Sequence, residues 1–501
     1  MCSTNRLSPL HRGLVTLALT IALGCAPTEP SHVPPSVTIV LPQKGAVVSL
    51  GDTVLIRAEV TAGDAPVIGV AFRAGDRVLV SDDTSPYEAS WNTAGTDLRH
   101  TRVTAVAYDD WGGSDSASVS VETLWVYSTP EQTDDGWEIA SLADVGMDQA
   151  PIVNLINLIR GRPRHLIHGI VIAVQGSLVL EEYFDGLTHP TIGADPISYD
   201  RDTWHVLSST TKSFTSALLG VAIDRGFIAG VDEPVSQFFP EIPELNELPK
   251  SEITLEHMIT MSSGLLWDQT TYPILDPRND IAGIQRAADP WRFYLSRPQM
   301  TAPGTTFLYS EASINVVGEV IKRTSGMRLD QFAQQYLFEP LGIQRHWWFV
   351  VRPDIGFVWA SGDLRLRPRD MAKFGQLYLQ GGEWQGQQVV PWEWIEASVT
   401  PRFTFSETYQ GDVGYGYAWW IPNEAHGAGA FAARGWGGQE IVVMPRWDMV
   451  VAVTGGAYYD EPIMRPHTMI ESYVLPAFGG TQLVADGNSD ATRDRGLAGG
   501  G

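Results

Sequence analysis

Hydrophobic and polar positions along the chain follow two different rhythms. From Ser36 to about Glu122, β-branched residues alternate with polar ones in short runs bounded by turn residues, as in SVTIVLP, VSLGDTVLIRAEV, VIGVAFRAGDRVLVSDD and TRVTAVAYDDWGGSDSASVSV. About seven short strands in about ninety residues predict an antiparallel sandwich. From Ser141 the rhythm changes. ASLADVGMDQAPIVNLINLIRG has helical spacing, and HGIVIAVQGSLVLEEYFDG reads as a hairpin turning at Gln175 and Gly176. After a long stretch of helical and loop text, GGQEIVVMPRWDMVVAVTGG reads as a second hairpin and RPHTMIESYVLPAF as a closing helix. Two hairpins from opposite ends of one region predict a single antiparallel sheet flanked by helices, with a helical insertion: an α+β domain.

Outside these regions the text is of other kinds. Arg6 and Arg12 precede the apolar run GLVTLALTIALG, which ends at Cys25. That is the form of an export signal over 1–24, too short for a permanent membrane span. ALGC resembles a bacterial lipoprotein box, implying cleavage before Cys25 and lipid on its sulfur, although Ala22 stands where Leu is usual. The expected organisation is a signal peptide (1–24), a Pro-rich tether (25–35), the sandwich (36–124), a linker (125–140), the α+β domain (141–480) and a disordered tail (481–501). The expected location is outside the cytoplasm, with membrane attachment only through lipid on Cys25.

Composition narrows the function. At 501 residues and 44% hydrophobic the chain can build more than one core. The net charge of −24 is spread along the chain, which disfavours nucleic acid as a partner. Cys2 and Cys25 are the only cysteines, so the body has no disulfide framework and no thiolate metal site. The histidines include no His-x-His and no His-Glu-x-x-His, only His165 and His168 at helical spacing, and no phosphate loop, dinucleotide fingerprint or Gly-x-Ser-x-Gly occurs. No metal or cofactor is implied.

Only five of the 34 basic residues are lysines. Arg is always charged, whereas Lys can act as a base when its environment strips its proton. In HVLSSTTKSFTSALLGVAIDRG, Lys212 is the one lysine with a serine, Ser209, three residues before it. At the start of a helix, Ser209 would meet free N–H groups and the positive helix end. Taken alone the pair also reads as a helix cap and a surface lysine.

Two later segments change that balance: PGTTFLYSEASINVVGEVIKRTSG, with Tyr309 before a second amphipathic helix, and ARGWGGQEIVVMP, with a Gly pair opening a strand. In this order, and with ITLEHMITMSSGLLWD, YLFEPLGI and RPRDMAKFGQLYLQGGEWQGQQVV, residues 141 to 480 resemble the class C β-lactamase and penicillin-binding-protein family of serine hydrolases. They resemble especially its branch of esterases and 6-aminohexanoate-dimer hydrolases. The resemblance implies Ser209 as nucleophile, neutral Lys212 as its base, and Tyr309 as a proton relay to the leaving group. It also implies an oxyanion hole from the backbone N–H groups of Ser209 and Gln439, with Gly437 and Gly438 letting a small ester or amide lie against the strand. PYEASWNT and VTAVAYDDWGG resemble bacterial immunoglobulin-like modules, implying a spacer or a cell-surface contact.

Two positions depart from the family pattern. Glu311 replaces the Asn of Tyr-x-Asn, and Trp436 replaces the Lys or His that opens the third motif. Glu311 reads either as a first-turn helix acid behind a Ser310 cap or as a charge facing substrate. In the second case it would oppose a ligand carboxylate by roughly 4 kcal/mol at ~4 Å and an effective dielectric of ~20. Trp436 reads as pocket wall, or as a surface for an acyl or alcohol group. The expected activity is ester or amide hydrolysis through an acyl-enzyme with little β-lactamase activity. The alternatives are a D-alanyl-D-alanine peptidase or a catalytically silent, cell-wall-binding lipoprotein.

Overall fold

The computed structural model describes residues 32–479, except 95–99, 163, 190–192, 410–411, 423–426, 460–461 and 463. The signal-like segment, Cys25 and the tail from 481 lie outside the described residues. The chain divides into two compact units, 1–123 and 124–501.

The first unit is the sandwich. Strands β1 (Ser36–Leu41), β3 (Thr53–Thr61) and β6 (Tyr87–Asn92) form one sheet; β2 (Val47–Ser49), β8 (Ser114–Leu124), β7 (Thr101–Asp109), β4 (Val67–Ala74) and β5 (Arg77–Asp82) form the other, in those orders. The two-residue period decides what goes inside. On β7, Val103, Ala105 and Ala107 are buried while Arg102 and Tyr108 are exposed. They pack with Val70 and Phe72 of β4, Ile56 of β3 and Trp91 of β6.

The second unit is built on a nine-stranded sheet. Its N-terminal strands are β9 (Glu138–Ile139), β10 (Ile167–Val174) and β11 (Ser177–Tyr183). Its C-terminal strands are β12 (Phe403–Tyr409), β13 (Asp412–Tyr415), β14 (Trp420–Pro422), β15 (Phe431–Gly435), β16 (Gln439–Met444) and β17 (Met449–Gly455). The order is β12-β13-β14-β15-β16-β17-β10-β11-β9, so β17 and β10 join the two ends of the domain. The hairpin of β10 and β11 turns at Gln175 and Gly176, with φ of 51° and 78°, the left-handed pair a two-residue turn demands. Every residue of β10, β16 and β17 is buried, so helices must cover both faces.

Four helices matter for the site or its support: α1 (Gln149–Arg160), α2 (Thr211–Asp224), α3 (Glu311–Ser325) and α4 (Pro368–Leu379). α4 lies on β16, β17 and β10; at Gly375 a Cβ would come within 2.5 Å of Val450 Cγ1, so only glycine permits this approach. α2 is buried all round from Thr211 to Ala222 and packs against α3. α3 begins at Ser310, whose hydroxyl caps Ser313 N, and ends at Gly326 with φ of 74°.

The stretch 125–140, expected as a linker, is instead built into the second unit. Trp125 N donates to Asn157 Oδ1 at 2.8 Å, Tyr127 Oη donates to Val179 O at 2.9 Å, and Trp137 is buried edge-on to Trp384. Glu138–Ile139 adds a parallel edge strand to β11. Apolar aromatics spaced among polar residues carry no period to read.

Candidate active site

The chain crosses from β-bridge to helix at Leu207. Ser208–Thr210 form one 3₁₀ turn, Ser208 sits in the left-handed region with φ of 48°, and α2 follows from Thr211. This forced turn leaves Ser209 half-buried while Ser208, Thr210 and Lys212 are fully covered. One helical step later, Lys212 Nζ donates to Ser209 Oγ at 2.7 Å and to Ser361 O at 2.8 Å. Ser209 and Lys212 are therefore neither a cap nor a surface lysine.

Because α3 packs on α2, its first residue reaches the same point. Glu311 Oε2 lies 2.7 Å from Lys212 Nζ, and Ser209 Oγ donates to Glu311 Oε1 at 3.5 Å. Glu311 is thus both the first-turn acid behind the Ser310 cap and a member of the site. Gln269 Oε1 accepts from Glu311 N at 3.1 Å, and Asn315, one turn along, donates to Glu311 O and to Ser361 Oγ. Tyr309 places its ring 4.9 Å from Lys212 Nζ and stacks on Trp420.

The electrostatics differ from the expectation of a neutral Lys212. Burial pushes the amine down, but the Glu311 carboxylate and Tyr309 more than offset it and hold Lys212 above its ordinary value. Burial and Glu311 push the Tyr309 phenol up against the lowering effect of Lys212. The 2.7 Å approach of Lys212 Nζ to Glu311 Oε2 is that of an ion pair. The charge of Glu311 is therefore already matched, and the repulsion of a substrate carboxylate expected from the sequence is largely cancelled.

The third motif comes in from the sheet. β15 grazes the Ser208–Thr210 turn so closely that a Cβ on Gly435 would lie 2.3 Å from Leu207 O, and Thr210 Oγ1 donates to Gln439 O at 3.1 Å. Gln439 turns its side chain away to Gly455 O, at 2.7 Å, leaving its backbone beside the turn. Gly437 and Gly438 have φ of 91° and 89°, and a Cβ on Gly437 would strike Tyr458 at 2.2 Å; turn geometry and packing require glycine there before any substrate does. Trp436 donates from Nε1 to Tyr458 O at 2.8 Å, meets His189, Tyr458 and Tyr459 edge-on, and stays 37% exposed, an aromatic wall.

Several site residues carry no sequence signal. Ser361 contributes a carbonyl, and Gln269 and Trp420 come from loop and strand with no motif. Asp363, also with positive φ, 56°, is pushed by burial up to about 6, with Arg365 and Lys212 lowering it and Glu311 raising it. The His165–His168 pair does not act together: His168 Nδ1 instead meets His205 Nε2 at 2.9 Å, and burial takes His205 down to about 4.

Comparisons with known proteins agree with this architecture. A bacterial Ig domain family matches residues 35–136. Among curated proteins the chain is similar to 6-aminohexanoate-dimer hydrolase of Paenarthrobacter ureafaciens, 25% identical over 56% of this chain and 70% of that one. It is also similar to a beta-lactamase of Escherichia coli strain K12, 33% identical over 30% of this chain and only 37% of that one. Among solved structures, a penicillin-binding protein homologue from Caulobacter crescentus superposes with a TM-score of 0.52 at 18% identity, covering 66% of this chain and 97% of that one. A family VIII carboxylesterase superposes with a TM-score of 0.51 at 15% identity, over 65% and 96%. The beta-lactamase family model matches residues 155–464, well over half the chain and all of the site described above, so this protein belongs to the beta-lactamase family.

Proposed function

We propose that the second unit hydrolyses carboxylic esters or amides of small molecules through an acyl group carried on Ser209. The observation that carries this reading is the contact of a half-exposed serine hydroxyl with a buried lysine, 2.7 Å apart, with Tyr309 over the same lysine. A hydroxyl open to substrate on one side and held by a fixed charge on the other is arranged to attack a carbonyl. Tyr309, kept protonated by its surroundings, supplies a proton to the departing alcohol or amine. The backbone N–H groups of Ser209 and Gln439 form the oxyanion site in this reading, and the side-chain anchoring of Gln439 keeps that edge rigid.

For substrate choice, Trp436 carries the weight. It sets an apolar surface where the family pattern has a cation for a ligand carboxylate, and the ammonium of Lys212 is already matched by Glu311. A neutral acyl ester gains from the indole; a β-lactam carboxylate finds no free cation in this motif. The relative named for 6-aminohexanoate-dimer hydrolysis favours linear amides as a second substrate class.

The test is fluorophosphonate labelling together with kcat/KM for a p-nitrophenyl ester and for a chromogenic cephalosporin. Ser209→Ala should abolish labelling and ester turnover. The matched control is Ser208→Gly rather than Ala, because position 208 is left-handed, and it should keep both. The ester should have the larger kcat/KM. Labelling that survives in Ser209→Ala removes the nucleophile; a better cephalosporin removes the substrate reading.

A further inference from the structure

The departure at position 311 places a carboxylate on the reacting atoms themselves. Lys212 Nζ lies within 2.8 Å of three oxygens, Ser209 Oγ, Ser361 O and Glu311 Oε2. A carbonyl and a carboxylate offer no proton, so they draw N–H toward them. Were the amine neutral, Glu311 would be a lone buried anion or a protonated acid, and an ion pair is the cheaper arrangement at a covered site. With Lys212 donating to Ser209 Oγ, the serine's own proton needs another acceptor. Glu311 Oε1, 3.5 Å from Oγ, is in place to take it.

We propose that Glu311 is the general base of this enzyme and that Lys212 remains an ammonium throughout the cycle. The inference rests on Ser209 being the nucleophile. In acylation, the Ser209 O–H bond breaks and its proton passes to Glu311, directly across the gap or by way of Lys212, which gives up one proton as it gains another. The Ser209 oxygen bonds to the substrate carbonyl carbon, and the carbonyl π pair moves onto oxygen beside the backbone N–H groups. When the tetrahedral species collapses, the bond to the leaving group breaks, Tyr309 gives that group its phenol proton, and the proton taken up by Glu311 restores the phenol. In deacylation, water gives a proton to Glu311 and its oxygen attacks the acyl carbon; the Ser209–acyl bond breaks and Ser209 regains a proton. The sum is ester or amide plus water, giving acid and alcohol or amine. Lys212, charged at the start and end of each step, stabilises the serine oxygen as its charge develops.

Two sets of measurements test this, neither depending on the other. In the unaltered protein, kcat/KM for a p-nitrophenyl ester and the rate of fluorophosphonate labelling should be level between about pH 7 and 9. A lysine base held above its ordinary value would instead make both rise about tenfold per pH unit over that range. Glu311→Gln, which keeps the shape, and Glu311→Asn, which restores the family's Tyr-x-Asn, should each lose about 10²- to 10⁴-fold at pH 7. Both should recover toward alkaline pH, because Lys212 without its carboxylate partner can lose its proton. Circular dichroism establishes that each variant is folded. A wild-type rate that climbs through this range, or an Asn variant as fast as wild type at pH 7, overturns the assignment of the base. The nucleophile fails separately, by labelling that persists in Ser209→Ala.

Discussion

Under the proposed function, Trp436 sets substrate preference without touching the reacting bond. Its side chain's only polar atom is spent on Tyr458 O and its ring packs T-shaped with His189, Tyr458 and Tyr459, so the part left exposed to solvent is apolar indole. Binding an acyl or alcohol group there helps the ground state and the transition state alike. Trp436→Ala should therefore raise KM for p-nitrophenyl butyrate about tenfold, some 1.4 kcal/mol, with kcat little changed. An unchanged KM with a fallen kcat would mean that the indole props the oxyanion strand instead. At this scale the sequence was informative at short spacing: it singled out Ser209, Lys212 and Tyr309, which the structure brings together. It was silent where the site is a meeting of distant groups. Ser209 and Glu311 stand 102 positions apart, and nothing local in YSEAS says that the acid faces lysine rather than solvent. Ser361 acts through a backbone carbonyl, which every residue has.

Elements were legible in proportion to their periodicity. The hairpin of β10 and β11 has an apolar run, a Gln-Gly turn and a return strand that opens apolar, and it folds as read. Strands β12 to β14 were not anticipated: DVGY and WIP are too short for a period, and FTFSETY alternates only over its first residues. One feature of this sheet also went unseen: on β15, Arg434 Nη1 lies 2.6 Å from Asp412 Oδ2 of β13, and Nε lies 2.6 Å from Glu440 Oε1 of β16. Burial raises both carboxyls, Asp412 up to about 7, against the lowering effect of Arg434. Arg434→Met would leave two covered acids facing one another and should cost about 3 kcal/mol at pH 8. Removing the cation raises both acids further, so proton uptake neutralises them as pH falls, and the loss should be smaller at pH 5. Urea denaturation at the two pH values measures this; an equal loss at both would mean that the arginine acts by packing.

For the whole molecule, the question is where the working unit begins. Every group assigned a catalytic part lies between Ser209 and Gln439, and the structural division falls at Thr123 and Leu124, where the sandwich was expected to end. The sandwich buries its own core, so its removal should leave the sheet of the second unit unaltered. A chain beginning at Leu124 should therefore fold and keep kcat/KM for an ester within about twofold. A chain beginning at Ser141 loses more than a linker. Trp125 and its bond to Asn157, Tyr127 and its bond to Val179, the buried Trp137 and the edge strand β9 all go with it. Emptying the Trp137 site alone should cost about 3–5 kcal/mol, a large share of the roughly 5–15 kcal/mol that holds a domain together. The shorter chain should melt well below the longer one or fail to fold, and its loss of turnover should follow its loss of structure. If both chains melt at the same temperature, residues 124–140 only rest on the second unit and do not hold it together.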